Sequence, residues 1–120
     1  MGAGAMIPRL KMNARGVRRQ PGVMNNLEAD YALQLEARRL TGDVIAYAFD
    51  ALKLRLADNT FYTPDFWVML NNGEIEIHEV KGHWEDDARV KIKVAAALFP
   101  FRFIAVTRPS KSIGWKFEEF

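Results

Sequence analysis

Two apolar runs joined by Asn71-Asn72-Gly73 fix the centre of this chain. Residues 61–70 and 74–81 are each long enough for a strand, and the three residues between them have the turn chemistry of a hairpin. The fold must therefore be built around an antiparallel pair. Pro64, near the start of the first run, has no amide to donate, so it belongs at a strand start, an edge or a bulge. The chain's 120 residues make one domain, and 49% apolar content supplies a core for it.

The remaining elements are read outward from that hairpin. Asn25 or Asn26 caps a helix over about 26–41, and Gly42 ends it. Val44 to Phe49 is an apolar run. Leu52, Leu54 and Leu56 alternate with Lys53 and Arg55, the pattern of a half-buried strand. The alternation changes phase near Asp50, which predicts a turn or bulge there. A second helix spans about 86–98, with Asp86 and Asp87 at its positive end and Pro100 after it. Residues 101–106 form a short buried strand, and 113–120 a last edge strand. The order helix, three antiparallel strands, helix, strand predicts an α/β (α+β) mixed sheet. In it the strands before and after the second helix run parallel, through a right-handed crossover.

Charge divides the chain into an arm, 1–24, and a domain, 25–120. Arg9, Lys11, Arg15, Arg18 and Arg19 lie in the first 25 residues with no acid, while all 15 acids lie beyond. A basic arm before an acidic domain predicts attraction to phosphates, with Arg15, Arg18 and Arg19 as the contacts. The absence of cysteine excludes disulfides and thiolate metal sites. No apolar run approaches the roughly 18 residues of a membrane span, and no secretory signal is evident. A cytoplasmic protein is expected.

Alternate residues of a strand share a face. Ile75, Ile77, Glu79 and Lys81 therefore line up, while Glu74, Glu76 and His78 point the other way. His78 is expected to be a surface or packing residue. An apolar face that ends in Glu79 and Lys81 needs a reason, because an unpartnered buried charge is costly. A salt bridge at a strand end is one reason. The other is chemical. Asp65 sits one hairpin upstream, and two carboxylates with an amine can hold a magnesium ion, orient water and stabilise developing negative charge.

Pro64-Asp65 followed by Glu79-Val80-Lys81 resembles the PD-(D/E)XK nuclease superfamily. The Lys81-Gly82 ending and the small size are similar to its phage-type branch, which includes endonuclease I-like Holliday-junction resolvases. The resemblance covers about residues 25–107, and the element order agrees with it. It implies a restriction-endonuclease-like core and Mg²⁺-dependent hydrolysis of DNA phosphodiesters, with Mn²⁺ able to substitute. Asp65, Glu79 and the Val80 carbonyl would be metal ligands. Lys81 would handle the water, and Glu28 on the first helix would support the metal or its water. Glu28 also fits a capping box with Asn25.

Arg89, Lys91 and Lys93 on the second helix are candidate DNA contacts or a solvated face. There is no Gly-rich phosphate loop, so no nucleotide cofactor is expected. A domain this small leaves little room for a base-reading module, so a branched or junction DNA recognised by shape and phosphates is the expected substrate. Symmetric cutting would need a homodimer, with its interface on the 61–70 strand or the 113–120 segment. The competing expectation is a non-catalytic nucleic-acid-binding module, or a nuclease subunit that needs a partner.

Overall fold

The computed structural model describes residues 22–83 and 86–120. Arg15, Arg18 and Arg19 lie outside the described residues. The elements in order are α1 (Asn26–Leu40), β1 (Val44–Phe49), β2 (Leu54–Ala57), β3 (Thr60–Tyr62), β4 (Phe66–Leu70), β5 (Ile75–Lys81), α2 (Asp86–Leu98), β6 (Arg102–Thr107) and β7 (Lys116–Glu119). Five strands form one mixed sheet in the order β1-β4-β5-β6-β7, and β2-β3 form a separate hairpin. β5 and β6 are parallel, as the intervening helix requires, and the other pairs of the main sheet are antiparallel.

α1 begins in a complete capping box: Glu28 N–H donates to Asn25 Oδ1 at 2.8 Å, and Asn25 N–H to Glu28 Oε1 at 2.9 Å. It ends in a Schellman turn, where Asp43 N–H reaches Arg38 O and Gly42 N–H reaches Arg39 O. Gly42 has φ +91°, a backbone region that glycine enters without steric cost. The inward stripe is Glu28, Tyr31, Ala32 and Leu35.

Helices cover both faces of the sheet. On one side α1 packs Tyr31 and Leu35 against Tyr47, Phe49, Phe66, Val68, Val80 and Val106. On the other, Ile92 and Ala95 of α2 join Leu54 and Tyr62 of the hairpin over Ile77 and Phe103. A sheet covered on both faces buries both sets of alternate side chains. Glu76 and His78 are therefore buried on the α1 side while Ile77 and Glu79 are buried on the other. His78 is 1% exposed, which removes the surface alternative and makes it a core residue.

Two strand details differ from expectation, and a third agrees with it. Residues 61–70 are two strands of different sheets, broken at 63–65, because Pro64 has no amide for a ladder and the chain crosses there from the hairpin to the main sheet. A bulge lies at Ile45, where the register slips between Val44 and Ala46, so that both Val44 and Tyr47 reach the core. The phase change near Asp50 is a turn: β1 ends at Phe49 and Asp50 has φ +57°. β4 is an interior strand, so of the two dimer surfaces expected, only the C-terminal one is an edge of the main sheet. There Phe117 and Ile113 are exposed.

Candidate active site

The hairpin register brings the two carboxylates together. β4 and β5 pair Phe66 with His78, so one further step sets Asp65 opposite Glu79. At that step the backbone ladder ends, and side chains replace it. Val80 N–H donates to Asp65 Oδ2 at 2.8 Å. Asp65 N–H donates to Glu79 Oε1 at 3.3 Å. Asp65 and Glu79 are 3% and 7% exposed, so each carboxylate must be compensated by donors such as these.

Tyr62 supplies the shortest of those bonds. Its hydroxyl donates to Glu79 Oε1 at 2.7 Å. Burial, reinforced by the Glu79 charge, pushes the phenol far above its usual range, so it stays protonated and can only donate to that carboxylate. Lys81 Nζ stands 3.2 Å from the other oxygen, Glu79 Oε2, with about a third of its side chain still exposed. Glu79 is thus held at one oxygen by a neutral donor and at the other by an ammonium that reaches solvent.

These groups open on a cleft of about 280 Å³ lined by Tyr62, Thr63, Glu79, Lys81, Asp87 and Lys91. Its far wall is the first turns of α2. A larger hollow of about 490 Å³ lies against α1 between Met24, Leu33 and Tyr47. Its two acids, Asp30 and Glu36, are paired with Arg108 and Arg39. Glu79 and Lys81 both line the smaller cleft, with Asp65 bonded behind Glu79.

The first turn of α1 lies at the same end of the sheet. A side chain at Gly82 would stand 3.6 Å from Leu27 Cδ2. Glu28 is buried in this turn, with Oε1 bonded to the Asn25 amide. The structure therefore gives Glu28 its capping role directly. Of the helix cations, Lys91 lines the cleft and Lys93 is exposed. Arg89 turns to β7, pairing with Glu118 at 2.7 Å and lying over the Phe120 ring.

Among the described residues, no three His, Asp or Glu side chains gather at ligating distance. Asp65 and Glu79 are nevertheless hard oxygen donors on adjacent strand ends. That donor set fits a magnesium-type ion whose shell is completed by a carbonyl and water.

Sequence reasoning missed two participants. Tyr62 stands three residues before Asp65, and its signal was an aromatic hydroxyl one strand break upstream of a buried carboxylate. The second is a network behind the site, on the α1 face. Tyr31 OH lies 2.7 Å from His78 Nδ1, His78 Nε2 lies 2.8 Å from Glu76 Oε1, and Arg102 binds Glu76 Oε2 at 2.9 Å. Glu76 is held below the usual carboxylate range, chiefly by the His78 hydrogen bond, so it accepts. His78 must then carry its proton on Nε2 and receive the Tyr31 hydroxyl at Nδ1. Comparison of the chain with protein families, curated proteins and solved structures returned no match.

Proposed function

We propose that this protein is a metal-dependent DNA endonuclease with a restriction-endonuclease-like core, acting by structure on branched or junction DNA in the cytoplasm. The observation that carries the reading is the buried Asp65–Glu79 pair with Lys81 3.2 Å from Glu79, where Glu79 and Lys81 line one cleft. A structural salt bridge alone would not require the second buried carboxylate or the cleft.

Asp65, Glu79 and the Val80 carbonyl would hold Mg²⁺ or Mn²⁺, which supplies Lewis-acid polarisation of a phosphate oxygen and a more acidic bound water. Lys81 orients the attacking water and stabilises the charge that develops on the phosphate oxygens. Water forms the new P–O bond and gives up a proton to solvent, the bond to the departing sugar oxygen breaks, and that oxygen leaves with a proton from solvent. Lys91, on the opposite wall, neutralises a substrate phosphate. Tyr62 keeps Glu79 in one orientation throughout. Glu28, in the first turn of α1, would support the metal site from the helix side.

The test is cleavage of matched four-way junction, flap, linear duplex and single-stranded DNA with Mg²⁺, Mn²⁺ or EDTA. Metal-dependent cutting by the wild type, abolished in Asp65→Asn and Glu79→Gln and severely reduced in Lys81→Ala, is the expected result. Binding without cutting of any substrate would favour the non-catalytic module or the subunit that needs a partner.

A further inference from the structure

The β2–β3 hairpin has two unlike faces. Leu54 pairs with Tyr62, and both are buried against α2. Arg55 pairs with Phe61, so these two share the opposite face, and Lys53 joins them by alternation. This outer face carries two cations and an aromatic ring that is 41% exposed. Lys53 Nζ lies 4.6 Å from the Phe61 ring centroid. The Arg55 side chain is 63% exposed and makes a loose contact with Asp58, at 3.7 Å.

A single exposed phenylalanine is ordinary on a protein surface. Here its position is what matters. Phe61 directly precedes Tyr62, which binds Glu79 and lines the carboxylate cleft. Lys91, on the far wall of that cleft, reaches the Phe61 carbonyl at 3.4 Å. The ring and its cations therefore lie across the hairpin from the cleft, and Lys91, which lines the cleft and reaches the Phe61 carbonyl, joins the two.

Cations that track a backbone, combined with an aromatic on which a base can stack, make a surface for single-stranded nucleic acid. A duplex keeps its bases stacked on each other and cannot offer one to Phe61. We infer that the outer face of this hairpin binds an unpaired DNA strand beside the scissile position. Phe61 stacks one base, and Lys53, Arg55 and Lys91 take the flanking phosphates. The arriving base displaces the Lys53 ammonium from the ring, and the ammonium moves to the neighbouring phosphate. This inference rests on the nuclease reading for its substrate and narrows it to DNA with unpaired bases at the branch.

The experiment is fluorescence anisotropy in EDTA, which separates binding from cutting. The probes are a fork with single-stranded arms and a blunt duplex of the same paired sequence. The proteins are the full chain, Phe61→Ala, Phe61→Trp and Lys53→Gln. Wild type is expected to prefer the fork. Phe61→Ala should lose about tenfold on the fork, in the range of one base stacked on an aromatic, with little change on the duplex. Phe61→Trp should retain fork binding, and Lys53→Gln should weaken it less than Phe61→Ala does. Fork binding unchanged in Phe61→Ala, or an equal loss on both probes, overturns the inference. If the wild type cuts DNA with metal but Phe61→Ala keeps its fork affinity, the hairpin assignment alone fails. If Phe61→Ala loses fork binding selectively but the wild type cuts nothing, the hairpin assignment stands and the nuclease reading fails. If the wild type binds neither probe, both fall.

Discussion

At the scale of single residues, Tyr62 and His78 carry most of what the motif by itself does not. Tyr62→Phe removes the 2.7 Å donor from Glu79 Oε1 and leaves that oxygen with the longer Asp65 amide bond. A buried carboxylate deprived of one partner costs about 1–3 kcal/mol, so urea unfolding should show a loss of that size, with cleavage reduced as Glu79 reorients. His78 governs acid stability. Burial, opposed by the Glu76 hydrogen bond, holds the imidazole below its ordinary 6.5 in the folded protein. Between that depressed value and 6.5 the unfolded chain binds more protons, so stability is full above pH 6.5 and falls as pH drops below it. The slope approaches about 1.4 kcal/mol per pH unit for one proton. Glu76, also lowered when folded, adds a second loss as pH falls below its ordinary 4.5. Denaturant melts from pH 8 to 4 should show both phases, and His78→Asn should flatten the first. Asp65, Glu79 and Lys81 were legible as a constellation because strand alternation and one turn place them together. Tyr62 and Tyr31 were not assigned roles, because their partners are set by packing between elements and not by spacing along the chain.

At the scale of elements, local signals and tertiary ones divide cleanly. Asn25, Gly42 and the Asn71-Asn72-Gly73 turn act within a few residues, and each appears where the sequence places it. Asn25→Ala should cost about 1 kcal/mol through loss of the cap, measurable as a lowered thermal midpoint. Glu28 allows its two roles to be separated. Glu28→Gln keeps a carbonyl oxygen for the Asn25 amide, so stability should change little. Its loss of charge should reduce cleavage by roughly ten- to a hundredfold, the usual effect of altering an outer partner of a metal site. Cleavage at the wild-type rate would leave Glu28 with the cap alone. The division of residues 61–70 into two sheets was not legible. Its apolar run is continuous, and Pro64 marks a strand start, an edge or a bulge equally well. The bulge at Ile45 was hidden for a related reason: every residue from Val44 to Phe49 is apolar, so no alternation reveals the slip.

At the scale of the whole molecule, the sheet is closed to solvent by α1 on one face and by α2 with the β2–β3 hairpin on the other. The sequence shows two helices and does not show which faces they cover, which is why His78 was left as a surface or packing residue. Charge acts at this scale as well. Met24 packs against the first core, so a cut before Gly22 should spare the fold while removing Arg9, Lys11, Arg15, Arg18 and Arg19. That truncation should weaken DNA binding and reduce the slope of log affinity against log salt, since each phosphate contact releases a counterion. An unchanged slope would place the arm outside the interface. No helix among the described residues is long and apolar enough to cross a membrane. The claim on which the rest depends is that Asp65 and Glu79 hold one divalent cation between them. Calorimetric titration of the full chain with Mn²⁺ tests it directly. One site in the wild type, lost in both Asp65→Asn and Glu79→Gln with folding intact, is the predicted result. Equal Mn²⁺ affinity in the wild type and either variant would contradict it.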